Sequence, residues 1–190
     1  MNKLKLFAVI AAMAVCGVAS AQGNNFAKVS YSNVAIKASA MGLTFTQNLN
    51  GVAVGIAQAR ELPGELPFLY EYGVDLLAAF GDNSTLISAV VPVNLMYRFD
   101  FGQIRLLPFA GLNLTAHIIG QDKYDGVTSN WFKKDEDGDV AYHRIQLGAQ
   151  FGAKVLYEKY FFGISYQPSL TRFADSTNLN VLNVSVGLTF

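Results

Sequence analysis

Alternation of apolar and polar residues dominates this chain, and the last segment shows it most clearly. In residues 182–190 every second residue is apolar, and every residue between is small or polar. The apolar face consists of Leu182, Val184, Val186, Leu188 and Phe190. A strand with these two faces fits between lipid and a polar interior. In a half-buried strand of a soluble protein, Lys, Glu or Arg would usually occupy the polar face, and here none does. The pattern therefore favours a membrane-spanning strand.

The same period of two recurs in seven further segments. The predicted strands are centred near residues 29, 54, 74, 93, 110, 149, 164 and 184. Eight is an even number and the smallest that closes a membrane barrel, and no segment after residue 21 has a convincing helical period. The sequence therefore predicts an all-β fold, an eight-stranded antiparallel up-and-down transmembrane β-barrel. The alternation changes phase between Tyr31 and Val34, which predicts a bulge or an early loop there.

The connections between predicted strands differ in length in a regular way. Short connections fall at residues 61–66, 100–103 and 158–159, and they alternate with longer ones that include residues 40–50 and 121–143. Outer-membrane barrels have short periplasmic turns and longer external loops. We therefore expect loops 40–50 and 121–143 to be extracellular, with an unusually tight external loop at 82–85. Aromatic residues cluster beside the periplasmic ends, as in a membrane-interface girdle: Phe68, Tyr70, Tyr97, Phe99, Phe101, Tyr157, Tyr160, Phe162 and Phe190.

Residues 1–21 have the anatomy of a signal peptide. Lys3 and Lys5 precede an apolar stretch at 6–19, and Ala19-Ser20-Ala21 supplies the small-x-small pattern of a cleavage site. We expect Sec-type export with cleavage near Ala21, leaving residues 22–190 as the barrel domain. The single cysteine lies inside the leader, so no disulfide is expected. Without the two leader lysines the chain has 12 basic and 14 acidic residues, and this balance does not favour nucleic-acid binding.

The carboxy-terminal residues and several inner stretches resemble a known family. Residues 184–190 are similar to the terminal signal by which the barrel-assembly machinery recognises outer-membrane barrels. Residues 49–55, 90–99, 107–114 and 144–167 resemble the small outer-membrane protein β-barrel domain family, which is similar to the membrane domain of OmpA and to OmpX. The resemblance covers essentially the whole chain after the leader. It implies a location in the cell outer membrane, contact with outer-membrane lipid, and an assembly signal formed by Val184, Val186, Leu188 and Phe190. Because the sequence stops at Phe190, we expect no OmpA-like periplasmic domain, and cell-wall anchoring is not implied.

Charged residues on the predicted inward faces are the main candidates for a site. They are Glu71, Asp75, Arg98, Arg105, Arg144 and Lys154. The interior of an eight-stranded barrel is only wide enough for side chains to fill, and an unpaired buried charge is very costly. We therefore expect an internal network of paired charges that fills the lumen. The alternative is a narrow ion channel or small porin lined by the same groups.

Catalytic, metal and cofactor sites are not indicated. One lipid A deacylase family of barrels carries a His-x-Ser pair with a carboxylate, but Ile118 and Ile119 follow His117 here, so the motif is missing. A catalytic base needs a nucleophile within hydrogen-bond reach, and the sequence identifies none. The acidic run at 135–139 lacks the spacing and the terminal glutamate of a calcium loop. We therefore expect that the protein is not an enzyme and that it binds neither a metal nor a cofactor. A lipid-modifying barrel enzyme is the second alternative.

The expected function is therefore a non-enzymatic barrel that is structural, or adhesive through extracellular loops 40–50 and 121–143. The second loop is the candidate site for an extracellular partner. Its Trp131 and Phe132 either present an aromatic surface to that partner or fold down onto the barrel rim, and the sequence leaves both open. A soluble periplasmic barrel of lipocalin type is a further alternative.

Overall fold

The structure is a computed structural model that describes residues 24–40, 43–64, 66–133, 142–174 and 176–190. Its strands are β1 (Asn24–Ala40), β2 (Leu43–Glu61), β3 (Phe68–Phe80), β4 (Ser84–Tyr97), β5 (Phe99–Phe101), β6 (Ile104–Tyr124), β7 (Val127–Asn130), β8 (Ile145–Tyr157), β9 (Tyr160–Pro168) and β10 (Thr177–Thr189). The proposed leader, residues 1–21, lies outside the described residues.

Eight of these strands close into a barrel. They are hydrogen-bonded in the order β4-β3-β2-β1-β10-β9-β8-β6, and β4 also pairs with β6 to complete the ring. Every pairing is antiparallel, and β5 and β7 are short additions to β6. Each predicted strand centre falls inside one of the eight long strands. The prediction of an eight-stranded up-and-down barrel is confirmed.

The strand register fixes the shape of the barrel. Starting at Arg60 on β2, one can step from each residue to its partner on the next strand until the path has gone once around the wall. The path returns to β2 at Asn50, ten residues from its start. Its steps are Tyr70, Leu95, Ala110, Phe151, Tyr166, Leu182 and Asn33. This stagger requires the strands to tilt by about 40° from the barrel axis, as closed barrels do. A ring of eight strands leaves an interior that side chains fill.

The two ends of the barrel differ. We call the end that holds Asn25, Phe190 and the turns after β2, β5 and β8 the turn end, and the opposite one the hairpin end. At the turn end, aromatic rings pack against one another, with centroid separations of 5.0 Å for Phe68 and Tyr97 and 4.6 Å for Tyr97 and Phe99. At the hairpin end, β1, β2 and β6 are the longest strands and extend beyond their neighbours.

The expected loop at 40–50 is wrong, because residues 43–50 belong to β2. This segment pairs with β1 continuously from Ala40↔Leu43 to Asn33↔Asn50. Thr44, Phe45 and Thr46 favour an extended strand, and this segment continues the ladder with β1 beyond Asn50, where the pairing with β3 ends. Part of the expected loop at 121–143 is likewise a hairpin, since β6 continues to Tyr124 and pairs with β7.

The phase change in the first strand has a different cause from the one expected. β1 pairs with β10 and β2 without interruption from Phe26 to Ala38, so neither a bulge nor a loop occurs there. Instead, Val34 points inward and is completely buried, because the interior itself becomes apolar at this height. The irregularity in the register lies between β4 and β6, at Ile87 and Ser88.

Candidate functional site

The middle of the barrel interior contains two ion pairs. Lys28 Nζ lies 2.8 Å from Asp75 Oδ2, and Lys154 Nζ contacts Glu71 Oε2. Asn94 Nδ2 also donates to Glu71 Oε1 at 3.0 Å. We call these five residues the central layer. Glu71, Asp75, Asn94 and Lys154 are each at most 6 % exposed, so the charges are held away from water and depend on one another.

Aromatic rings add to the stabilisation of Lys154. Its Nζ lies 4.3 Å from the centroid of the Phe26 ring, 5.5 Å from that of Phe109 and 5.8 Å from that of Phe161. A cation within about 6 Å of a ring face is attracted by the ring quadrupole, and more strongly where water is excluded. The ammonium group therefore has a carboxylate on one side and ring faces on another.

The structure separates the six predicted lumen charges into three groups. Glu71, Asp75 and Lys154 meet in the central layer. Arg98 and Arg105 lie at the turn-end rim instead, and both pair with Asp100, at 3.2 and 3.0 Å respectively. Arg144 lies at the hairpin end and is exposed, with its guanidinium carbon 4.6 Å from the centroid of the Phe132 ring. For these three arginines the expectation of a shared internal network is wrong, because each lies at the end of a strand: Arg98 between β4 and β5, Arg105 at the start of β6 and Arg144 just before β8.

The rim position of Arg98 also affects its protonation. Its guanidinium donates to Glu61 Oε1, and this hydrogen bond, with the charges of Glu61 and Asp100 nearby, raises the pKa of Arg98 above its ordinary value. The two carboxylates therefore stabilise a guanidinium that is charged at physiological pH in any case.

Lys28 is the central-layer residue that sequence reasoning missed. It has the same strand parity as Ser30 and Ser32, which are buried inside the barrel. The phase change at Tyr31–Val34 obscured that parity, so no inward face was assigned to the first strand. The apolar neighbours Ala27 and Val29 were the available signal, because they have the opposite parity and so indicate that Lys28 faces the interior.

Two apolar clusters of buried residues lie on either side of the central layer, one toward each end of the barrel. The turn-end plug consists of Phe26, Ala57, Ala59, Leu69, Met96, Leu107, Phe109, Leu156 and Phe161. The hairpin-end plug consists of Val34, Leu49, Ala53, Leu77, Ala79, Leu86, Trp131, Phe132, Phe173, Leu179 and Val181. Cavities beside the central layer have volumes of only about 10 Å³, near the minimum for a single water.

Aromatic residues from two connections close the hairpin end. Trp131 and Phe132 are only 7 % and 6 % exposed, and Trp131 Nε1 donates to Asp122 Oδ2 at 2.7 Å. Phe173, from the connection between β9 and β10, is completely buried, and its ring centroid lies 6.0 Å from that of Trp131. Of the two positions open for Trp131 and Phe132, the structure shows the inward one. Phe173 had no sequence signal, since a single aromatic in a polar connection is not distinctive.

Gly120 leaves the space that these rings occupy. A Cβ atom at this position would lie 2.6 Å from Trp131 Cε3 and 2.8 Å from Phe132 Cε2. Such distances are too short for van der Waals contact, so any larger residue would displace the rings. The glycine therefore permits the close approach of the plug to the wall.

A buried serine and histidine meet beneath the hairpin-end plug. Ser88 Oγ and His117 Nδ1 are 2.8 Å apart, and His117 Nε2 lies 2.8 Å from Gln146 Oε1. All three residues are at most 3 % exposed, and the ring of Phe173 packs edge-on against that of His117 with a centroid separation of 5.0 Å. This partner of His117 could not be predicted from the sequence, because Ser88 lies on a different strand 29 positions away.

Comparison with solved structures shows several barrels with the same architecture. Neisserial surface protein A (NspA) aligns with a TM-score of 0.53 and 10 % identity, over 87 % of this chain and 97 % of that one. Ail of Yersinia pestis aligns with a TM-score of 0.52 and 12 % identity, over 90 % of this chain and all of that one. The outer membrane enzyme PagL aligns with a TM-score of 0.56 and 13 % identity, over 86 % and 99 %.

The fold is that of the small outer-membrane β-barrels. At 10–13 % identity these likenesses concern the fold alone. No protein-family profile matches the sequence, and no curated protein sequence matches it either.

No helix among the residues that the structure describes is long and apolar enough to span a membrane. Within the same residues, no group of three or more His, Cys, Asp or Glu side chains is arranged to hold a metal ion. The acidic run at 135–139 lies outside the described residues.

Proposed function

We propose that this protein is a non-enzymatic barrel of the outer membrane, with a lumen filled by side chains and a structural or adhesive role at the cell surface. The observation that carries the proposal is the reversal of polarity across the wall. Large apolar side chains such as Val93, Leu112 and Val186 are about half exposed on the outside, whereas charged pairs are buried inside. A soluble protein would lose the hydrophobic contribution of that outer surface, and a lipid bilayer provides it.

Orientation and assembly follow from the same proposal. The turn end would face the periplasm and the hairpin end the exterior, since membrane barrels have short turns on the periplasmic side. Export would use the leader at 1–21, with cleavage near Ala21. We also propose that Val184, Val186, Leu188 and Phe190 form the signal for the barrel-assembly machinery. Their side chains lie on the outer face of β10, which suits recognition before insertion into lipid.

The two apolar plugs predict that the barrel does not conduct ions. The purified, refolded protein should insert into planar bilayers without stepwise currents, because an ion would have to cross both plugs without its hydration shell. A shifted band of the unboiled protein in SDS gels is the control that the inserted material is folded.

The competing proposal, a narrow ion channel, makes the opposite prediction. Regular current steps whose amplitude changes in a Lys154→Met variant would establish an ion path through the central layer and contradict the sealed lumen. Current steps whose amplitude does not change with this substitution would indicate an ion path outside the central layer, and they would contradict the sealed lumen as well.

The adhesive part of the proposal rests on the two hairpins that rise above the wall. Leu43 and Phe45 on β2 are 63 % and 62 % exposed, and Tyr124 and Val127 on the β6–β7 hairpin are 61 % and 72 % exposed. Apolar residues exposed on extracellular projections favour contact with a partner. These residues replace Trp131 and Phe132 as the candidates for such contact, because those two rings are buried in the plug.

One observation favours an enzyme as a second candidate. Ser88 and His117 have the hydrogen bond of a nucleophile and its base, and Gln146 holds the far ring nitrogen. However, a substrate would have to displace Phe173 and Phe132 to reach the buried hydroxyl. We expect the lipid A of cells producing the protein to have the same acyl chains, by mass spectrometry, as that of cells lacking it. A loss of acyl chains that Ser88→Ala abolishes would establish the enzyme instead.

A further inference from the structure

The upper part of β2 has a free edge. β3 ends at Phe80, which pairs with Asn50, whereas β2 continues to Leu43. Residues Leu43–Leu49, which we call the edge segment, pair with β1 on one side, and no other described residue pairs with them on the other. At about 3.4 Å per residue, the seven residues of this edge span roughly 24 Å. It stands on the hairpin that the proposed function places outside the cell.

The peptide groups that face this edge can be identified. Peptide groups of alternate residues in an antiparallel strand point to opposite sides. Leu62 N, just beyond β2, donates to Phe68 O on the β3 side at 3.0 Å, and the register of β2 with both neighbours is uninterrupted. The even-numbered residues of β2 therefore direct their N–H and C=O groups toward the β3 side. In the edge segment these are Thr44, Thr46 and Asn48, and all three are exposed.

The edge segment lacks the features that normally protect a free edge. Natural proteins block such edges with Lys, Pro, a bulge or a very short strand. The sequence Leu-Thr-Phe-Thr-Gln-Asn-Leu contains no charge, no Pro and no Gly, and two of its seven residues are β-branched threonines. An unprotected edge of this length is a template for pairing with another chain.

We propose that the edge segment binds an extended strand of another protein by β-strand addition. A polypeptide strand is the ligand that presents donors and acceptors at the spacing of Thr44, Thr46 and Asn48. Beside Leu43 and Phe45, which lie on the inner face of the hairpin, the added strand carries apolar side chains. Beside the outer face it carries uncharged polar ones. This inference rests on the proposed adhesive function and names the partner of the same hairpin.

Thr46→Pro tests the edge with little change to the fold. Proline removes the N–H that faces the free side, and the β1–β2 ladder does not use that N–H. Thr46→Ala is the matched control, since it shortens the side chain and keeps the N–H. The probe is a fluorescently labelled peptide of alternating Val and Thr with a Lys at each end, added to the full barrel in phosphatidylcholine nanodiscs. The same peptide with N-methyl groups on alternate residues cannot donate from that edge.

We expect the probe to bind the wild-type protein and the Thr46→Ala variant alike, and to bind Thr46→Pro at least about tenfold more weakly. Amide exchange measured by NMR should show Thr44, Thr46 and Asn48 exchanging rapidly in the free protein and protected when the probe is bound. The N-methylated peptide should give no protection.

Two results would overturn the inference. Equal binding to the wild-type and Thr46→Pro proteins would show that the edge is not the site. Slow exchange of Thr44, Thr46 and Asn48 without probe would show that another part of the same chain already covers it. In either case a barrel that still shifts in SDS gels and still fractionates with the outer membrane leaves the proposed function intact. Absence of the protein from the outer membrane would instead refute the proposed function, on which this inference rests.

Discussion

Replacing Glu71 with leucine is expected to destabilise the barrel by about 3–5 kcal/mol, the usual result of removing one partner of a buried ion pair. Lys154 would remain inside without its carboxylate, and Asn94 would lose the acceptor for its amide. Guanidinium unfolding followed by fluorescence measures the loss. Trp131 is the only tryptophan in the chain, so the signal reports the hairpin-end plug.

Two variants make this experiment specific. The double variant Glu71→Leu with Lys154→Met should recover most of the lost free energy, because apolar residues of similar volume often replace a buried ion pair without loss. Glu61→Leu is the matched control at the rim, where the carboxylate that pairs with Arg98 is 63 % exposed. Its cost should stay below about 1 kcal/mol. If the double variant is as unstable as Glu71→Leu alone, the pairing of these two charges is not the cause.

Replacing Val186 with arginine is expected to cost about 2–4 kcal/mol in a lipid bilayer, as cations do on the lipid face near the middle of a membrane barrel. Val186 is 58 % exposed on β10, between Leu182 at the upper part of the strand and Phe190 at the turn end. In water such an exposed position would accept arginine readily. The same substitution therefore distinguishes lipid from solvent around the wall, measured as folding free energy in vesicles.

Val127 provides the matched control for this substitution. It is also a strand valine and is 72 % exposed, but it lies on the β6–β7 hairpin above the wall. Val127→Arg should change the folding free energy by less than about 0.5 kcal/mol. Similar costs at both positions would contradict the placement of the membrane around the barrel and would favour a soluble one.

Much of the wall could be predicted from the sequence, because an apolar outer face and a narrow interior filled by side chains impose a period of two on every strand. Leu182 to Phe190 show it without exception. The prediction failed where the interior is apolar. Val34 and Leu49 face inward in the hairpin-end plug, so an assignment that expects polar residues inside finds a break in phase.

The central layer could be predicted only in part, since parity gives the face of a residue but not its height in the barrel. Glu71, Asp75 and Arg144 all have the parity of an inward face, yet Glu71 and Asp75 lie within β3 whereas Arg144 directly precedes β8 and so lies at the rim. Contacts between segments that are distant in the sequence could not be predicted at all. The pairing of Ser88 with His117 and the burial of Phe173 depend on which strands become neighbours, and no local pattern records that.

The closing seam of the barrel has a consequence for biogenesis. β1 and β10, the first and last strands described, pair along thirteen residues, and at the turn end Asn25 and Phe190 exchange both backbone hydrogen bonds, at 3.2 and 3.1 Å. No shorter portion of the wall is self-contained, since a chain without β10 would expose the peptide groups of β1 and β9 to hydrocarbon. Such a fragment is not stable in a bilayer. A nascent chain must therefore stay out of lipid, or have its unpaired edge strands bound by another protein, until β10 is available. The strand that carries the proposed assembly signal is the same one that removes both edges.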